Sequence, residues 1–147
     1  MATAYQTDIV AWANEQSALI RMGKFDQLDL EHIADEVADV GKSEQREFAS
    51  RMAVLLAHLL KWQYQPAYRG RSWQGTIRLQ RLEVAHALKE SPSLKPRFSD
   101  QDWLVYIWEK AKAQAESETG LLDFPQSCPW DMSDVLKDDW FPTEQHA

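Results

Sequence analysis

The sequence is short of the residues that cross-link or puncture a chain. Its 147 residues include one cysteine, Cys128, five glycines and six prolines. A single thiol excludes an internal disulfide and any zinc site built from several cysteines. Next to Pro129, Cys128 reads as a small packing residue. The longest apolar run, from Met52 to Leu60, is interrupted by His58 and is far too short to span a bilayer. The opening residues, Met-Ala-Thr-Ala-Tyr-Gln-Thr-Asp, lack the basic region and apolar run of a secretory leader. The expectation is a cytoplasmic protein with no membrane partner. Also missing are a phosphate-binding glycine loop, a calcium-ligand ladder and a serine nucleophile elbow. There is no His-Glu-x-x-His pair and no repeated Glu and His set of a di-iron bundle. No metal and no cofactor are expected.

What is present is ample core. The chain is 44% hydrophobic and 27% charged, a globular balance, and its length suits one domain spanning residues 1–147. A chain this long buries roughly two thirds of its unfolded surface and needs no staple to fold. Seven tryptophans add large rings whose N–H groups need partners once buried.

Apolar spacing is helical almost throughout, and the expected fold is all-α: a compact bundle of about five helices with an extended C-terminal wrap and a short terminal helix. The first helix runs from about Asp8 to Met22, with Ile9, Trp12, Ala13, Gln16, Leu19 and Ile20 inward and Gly23 as its positive-φ stop. Asp29 caps the second, whose face is Leu30, Ile33, Ala34, Val37 and Val40, and Gly41 ends it. Ser43 caps a third, the most buried, carrying Phe48, Met52, Leu55, Leu56, Leu59, Leu60 and Trp62 up to the block at Pro66. Ser72 caps a fourth over Trp73 to about Lys89, with Trp73, Ile77, Val84 and Leu88 in one stripe and Leu79 and Leu82 outside it. Ser99 with Asp102 resembles a capping box for the fifth, which ends at Gly120. Pro125 and Pro129 mark the wrap, Met132 to Lys137 suits a short helical turn capped by Asp131, and Trp140 and Phe141 anchor the tail. The closing Gln145-His146-Ala147 is expected to fray.

Charge is unevenly spread. The net charge is −7. Between Lys61 and Arg97 eight basic residues face only Glu83 and Glu90, a local +6 that leaves −13 elsewhere. The preferred explanation is an internal match between a basic middle and acidic flanks. The alternative is a surface for phosphate or nucleic acid made by Arg69, Arg71, Arg78, Arg81, Lys89, Lys95 and Arg97. The crowded Asp26, Asp29, Glu31, Asp35, Glu36 and Asp39 read as a solvated helix face.

Helical geometry sets several polar residues at the edges of the apolar stripes: Glu36, His58, Gln65 and Glu118, with Trp73 opening the helix after Pro66. Buried polar groups need partners, so a hydrogen-bonded structural cluster is the simplest reading. In it His58 donates to Glu36 or Glu118 and Trp73 covers the pair. An enzyme reading makes Glu36, His58 and Glu118 a general acid/base site, with or without a metal. A non-enzymatic interaction or regulatory domain, binding a protein partner or itself, is preferred over both the enzyme and the nucleic-acid readings.

The run Leu55-Leu56-Ala57-His58-Leu59-Leu60-Lys61-Trp62-Gln63-Tyr64-Gln65-Pro66 resembles the central signature of the DUF29 family, bacterial and cyanobacterial proteins with no assigned function. Ser72-Trp73 with Ile77 and Arg81, then Ser91-Pro92-Ser93-Leu94-Lys95, resemble its following blocks. Glu118-Thr119-Gly120, Cys128-Pro129-Trp130 and Trp140-Phe141-Pro142 are similar to its closing motifs, and Tyr5, Asp8, Asp29 and Glu36 also fit. The resemblance implies an all-helical fold and carries over no active site.

Overall fold

A computed structural model describes residues 4–143. Among them the only regular structure is helical: α1 (Ile9–Arg21), α2 (Leu30–Tyr64), α3 (Arg71–Glu90), α4 (Gln101–Thr119) and the short α5 (Met132–Val135), with 3-10 segments at Phe25–Gln27, Pro66–Tyr68 and Pro92–Ser99. The fold is all-α, as expected. The fraying expected at residues 145–147 lies outside the described residues.

Most caps fall where side-chain chemistry puts them. Asp8 accepts the Ala11 N–H at 3.1 Å and starts α1. Asp29 does the same for His32 at 3.4 Å and starts α2. Gly23 and Gly120 take φ of +74° and +76°, the left-handed turn that closes α1 and α4. Two caps differ from expectation. Asp100, not Ser99, accepts from Asp102 and Trp103 at the head of α4, because a carboxylate one residue later reaches both N–H groups. Helix α3 begins at Arg71 behind Gly70, so Ser72 lies within its first turn.

The larger correction is at Gly41. The two helices expected on either side of it are one, a 35-residue α2. Gly41 keeps a helical backbone without positive φ. A helix-interior glycine costs about 1 kcal/mol relative to alanine, and good helix formers on both sides outweigh that.

By internal contacts the chain divides into two compact units, Met1–Glu44 and Gln45–Ala147, with α2 contributing to both. The second holds the whole hydrophobic core. Phe48, Met52, Leu55, Leu56, Leu59 and Leu60 on α2 pack with Ile77 and Val84 of α3, Ile107, Trp108 and Ala111 of α4, and Val135 of α5. The side chains of α2 from Leu55 to Leu60 are sealed except His58 and contribute on the order of 1.5–3 kcal/mol for each large aliphatic residue. Segment 120–131 is the non-helical wrap, and Phe124 inserts from it into the core.

The first unit is an α1–α2 hairpin, and it departs from expectation. Among its described residues only Trp12 and Gln16 are buried. Ile9, Ile20, Leu30, Val37 and Val40, expected inward, are 46–68% exposed. Two helices share a single interface, and polar bonding around Trp12 occupies this one, so the remaining apolar stripe stays uncovered.

Candidate functional site

In the first unit the side chains converge on Asp29. Its Oδ2 accepts from Trp12 Nε1 at 3.0 Å and pairs with His32 Nδ1 at 2.8 Å. Its backbone N–H donates to Gln16 Oε1 at 2.9 Å, which satisfies the oxygen of the buried amide. The Tyr5 ring stacks on His32 at 4.2 Å and meets Trp12 edge-on at 4.8 Å, while its hydroxyl donates to the Glu36 carboxylate. That bond to Glu36 pushes the Tyr5 hydroxyl up to about 12. The bond to His32 holds the Asp29 carboxyl below its ordinary value, and the same bond raises the His32 imidazole. These are paired structural groups, and they tie the N-terminal turn and α1 to α2.

Beside this knot lies a shallow groove of about 460 Å³. Trp12, Gln16 and Ile33 line it with Ala13, Ser17, Ile20, Arg21, Glu36, Val37 and Val40. Its lining is overwhelmingly apolar, yet the unit around it carries nine acidic residues against three basic ones.

In the second unit the expected Glu36, His58, Gln65, Trp73 and Glu118 cluster is only partly assembled. Lys61, absent from that expectation, is its centre. Its ammonium is buried, sits 2.5 Å from Glu118 Oε2 and lies 5.2 Å from the Trp73 ring centroid. Gln114 donates to the other Glu118 oxygen at 3.0 Å. The Lys61 bond holds the Glu118 carboxyl below its ordinary value. Glu118 accepts from Lys61 and Gln114, and the hydrogen bond expected from His58 goes elsewhere. His58 Nδ1 lies 2.9 Å from the Val54 carbonyl one turn back on its own helix, a separation in which the ring N–H donates. Glu36 belongs to the first unit, where it accepts from Tyr5. Gln65 is half-buried at the end of α2, its N–H donating to Lys61 O at 2.9 Å. The three acid/base candidates Glu36, His58 and Glu118 are therefore each engaged elsewhere. Among the described residues no three His, Cys, Asp or Glu side chains are placed to hold a metal ion.

The midpoints of His32 and His58 should be displaced in opposite directions. Asp29 raises His32 above the ordinary 6.5, whereas burial lowers His58 below it. The stabilisation carried by His32 is complete below 6.5 and drains as pH rises through its folded value. That of neutral His58 is complete above 6.5 and drains as pH falls through its own. Ring-proton NMR titration should give midpoints on opposite sides of 6.5. Asp29→Asn should bring the His32 midpoint down and leave His58 unmoved. Coincident midpoints would refute both environments.

The basic segment does not form one continuous surface. Arg81 is only 3% exposed. Its guanidinium donates to the carbonyls of Val135 at 2.9 Å, Asp138 at 2.9 Å and Trp140 at 2.6 Å, and lies 5.5 Å from the Phe141 ring. It is a clasp for the C-terminal tail. Arg69 turns back on α2, donating to Trp62 O at 2.7 Å over the Trp62 ring. Arg97 bonds Gln45 and faces Asp100. Arg71, Arg78, Lys89 and Lys95 remain exposed. On α3 the first three follow one line with Leu82, at steps of seven, four and seven residues, and Leu79 lies alongside. Leu79 and Leu82 are 50% and 65% exposed, consistent with their place outside the core stripe.

The tail closes over aromatic rings. Trp108, Trp130 and Trp140 meet edge-to-face at 5.5 and 5.8 Å, and Phe141 packs on Trp62 at 4.5 Å. Between α4 and the wrap, Leu104, Val105, Trp108, Cys128, Trp130 and Met132 line a cleft of about 320 Å³. Burial raises the Cys128 thiol and keeps it protonated, consistent with a packing role.

This arrangement of paired polar groups can be set against known proteins. The profile of the family described as "Domain of unknown function DUF29" matches residues 4–141. The chain belongs to the DUF29 family. No curated protein and no solved structure matches it. The DUF29 match takes in both units, so the Asp29 knot, the Lys61–Glu118 pair and the Arg81 clasp all lie within it. For Arg81 a signal is available in the sequence. Ile77, Arg81, Val84 and Leu88 share one helical face, and a charge on a core stripe must find partners there.

Proposed function

We propose that this DUF29 chain is a non-enzymatic, cytoplasmic protein-interaction domain whose α1–α2 groove receives an apolar helix with basic flanks. The observation that carries this reading is the uncovered stripe of the first unit, where Ile20, Val37 and Val40 are 46%, 68% and 67% exposed beside Ala13. Two antiparallel helices cannot bury that stripe between themselves, and a third helix laid along the groove would cover it. The acidic surroundings select the flanks of the incoming helix. The net negative charge of the unit speeds encounter with a basic helix and disfavours acidic partners, while apolar contact at the floor supplies affinity. No helix among the described residues is long and apolar enough to cross a membrane, which is compatible with a partner met in solution.

Two labelled helical peptides of equal length test the reading. Both carry leucines at i, i+3 and i+7, one with lysine flanks and one with glutamate flanks. Fluorescence anisotropy at low chain concentration should show the lysine peptide binding at least about tenfold tighter, a difference of about 1.4 kcal/mol. Val37→Asp with Val40→Asp should abolish its binding without changing the helical circular dichroism. If neither peptide binds, or if the valine changes leave binding intact, the groove is not the interaction site.

A further inference from the structure

The second unit carries a recess of its own, the cleft of about 320 Å³ between α4 and the wrap. It runs inward until its floor is core. Leu56, Ile107 and Trp108 line it there and are at most 2% exposed. Phe98, Leu104, Trp130 and Met132 form half-buried walls, so three aromatic rings meet a flexible thioether. The volume lies at the lower end of the roughly 300–1,000 Å³ of small-molecule sites, which suits one or two fused rings.

The charge in its lining is all of one sign. Glu109 and Asp131 are exposed there beside the amides of Gln101 and Gln126, and no lysine or arginine lines the cleft. Asp131 accepts from Ser133 N and Oγ at 2.9 and 2.8 Å, bonds that hold its carboxyl below the ordinary value and keep it ionised. Both go to Oδ1, so Oδ2 keeps its acceptor capacity. Lys112, one turn beyond Glu109, stands 3.0 Å from that carboxylate and 3.4 Å from Gln126 O, and is committed to them. An anion would therefore meet two carboxylates here. A cation would meet the same carboxylates and the negative faces of aromatic rings.

We propose that this cleft binds a small aryl-alkyl amine, with its rings among Phe98, Trp108 and Trp130 and its ammonium at Asp131 and Glu109. Ring burial on the core floor supplies affinity, and the carboxylates select the head group. The net charge of −7 favours approach of a cation from solution. The cleft and the α1–α2 groove lie in different units, so this ligand site does not rest on the groove reading.

Isothermal titration calorimetry of the full chain with 2-naphthylmethylamine and 2-naphthylacetate tests the proposal, since the two probes share a ring system and differ in charge. The amine should bind at least about tenfold tighter than the acid at low salt, and added salt should narrow the gap. Cys128 locates the site. It is the chain's one thiol and lines the same cleft, so saturating amine should slow its reaction with an aromatic disulfide reagent at least about fivefold. Asp131→Asn keeps a capping side chain on α5, and Glu109 is exposed, so the double variant with Glu109→Gln should retain wild-type helical circular dichroism. It should lose the preference for amine over acid. No binding of the amine at millimolar concentration, or an acid that binds as tightly, would overturn the proposal. So would a bound amine that leaves Cys128 unprotected, or a preference that survives the double change.

Discussion

Arg81→Ala should lower the unfolding free energy by roughly 3–4 kcal/mol and release the chain beyond Asp131 to protease. Three backbone carbonyls depend on one buried guanidinium, and hydrogen bonds to a charged donor contribute about 1.5–3 kcal/mol each. The sum is not reached, because the freed carbonyls of Asp138 and Trp140 can turn toward water and the desolvation of the arginine disappears with it. Arg81→Lys should recover little. Lysine is a point donor, whereas the planar fork reaches the carbonyls of Val135, Asp138 and Trp140 at once. Urea melts followed by tryptophan fluorescence measure the loss, and limited proteolysis locates it. A change below about 1 kcal/mol would mean that aromatic packing alone holds the tail.

Trp108→Ala should cost about 3–5 kcal/mol, the range for truncating a fully packed aromatic residue. Trp108 is 2% exposed, donates to Pro125 O at 2.9 Å and stands edge-on to Trp130. It therefore supports the wrap by both packing and hydrogen bonding, and a domain with the usual 5–15 kcal/mol would become marginal without it. Trp108→Phe separates the two contributions. It keeps most of the ring but leaves the Pro125 carbonyl without its donor, and should cost roughly 1–3 kcal/mol. Trp130→Ala should cost less than Trp108→Ala because Trp130 is only half-buried. The ranking comes from thermal or denaturant melts of all three. An equal loss in Trp108→Ala and Trp108→Phe would assign the whole effect to the hydrogen bond.

The helices and most of their ends were legible because periodicity and capping are local. Asp8, Asp29 and Asp131 cap where a carboxylate should, and Gly120 stops α4. Gly41 shows the limit of that logic. A glycine ends a helix only when the residues after it also leave the helix, as Leu121 to Pro125 do after Gly120. After Gly41 the helical pattern simply resumes. The polar cluster was legible only in part, since Trp73 and Glu118 meet Lys61, which the expected set lacked, and Glu36 bonds Tyr5 instead. His58 and Glu118 both lie near Lys61, but the competition for Glu118 is decided by charge, and an ammonium outbids a neutral imidazole that has a carbonyl within reach on its own helix. Arg81 reads as surface when its charge is counted before its register. The open stripe of the first unit was hidden for a different reason. Periodicity shows which face of a helix is apolar, and it does not show how many neighbours there are to cover it.

The Arg81 clasp also sets an order of events during synthesis. Helices emerge and begin to pack from the N-terminal side as the chain elongates. Yet the guanidinium on α3 lacks its full set of acceptors until the chain has emerged through Trp140, and the ring of Trp108 on α4 lacks its partners until Trp130 has emerged. Until then a nascent second unit holds a buried cation without acceptors beside uncovered tryptophans. A buried charge without acceptors is costly, so the unit packs loosely until that segment arrives. The segment from Val135 to Trp140 is thus the one that commits the unit to its native state.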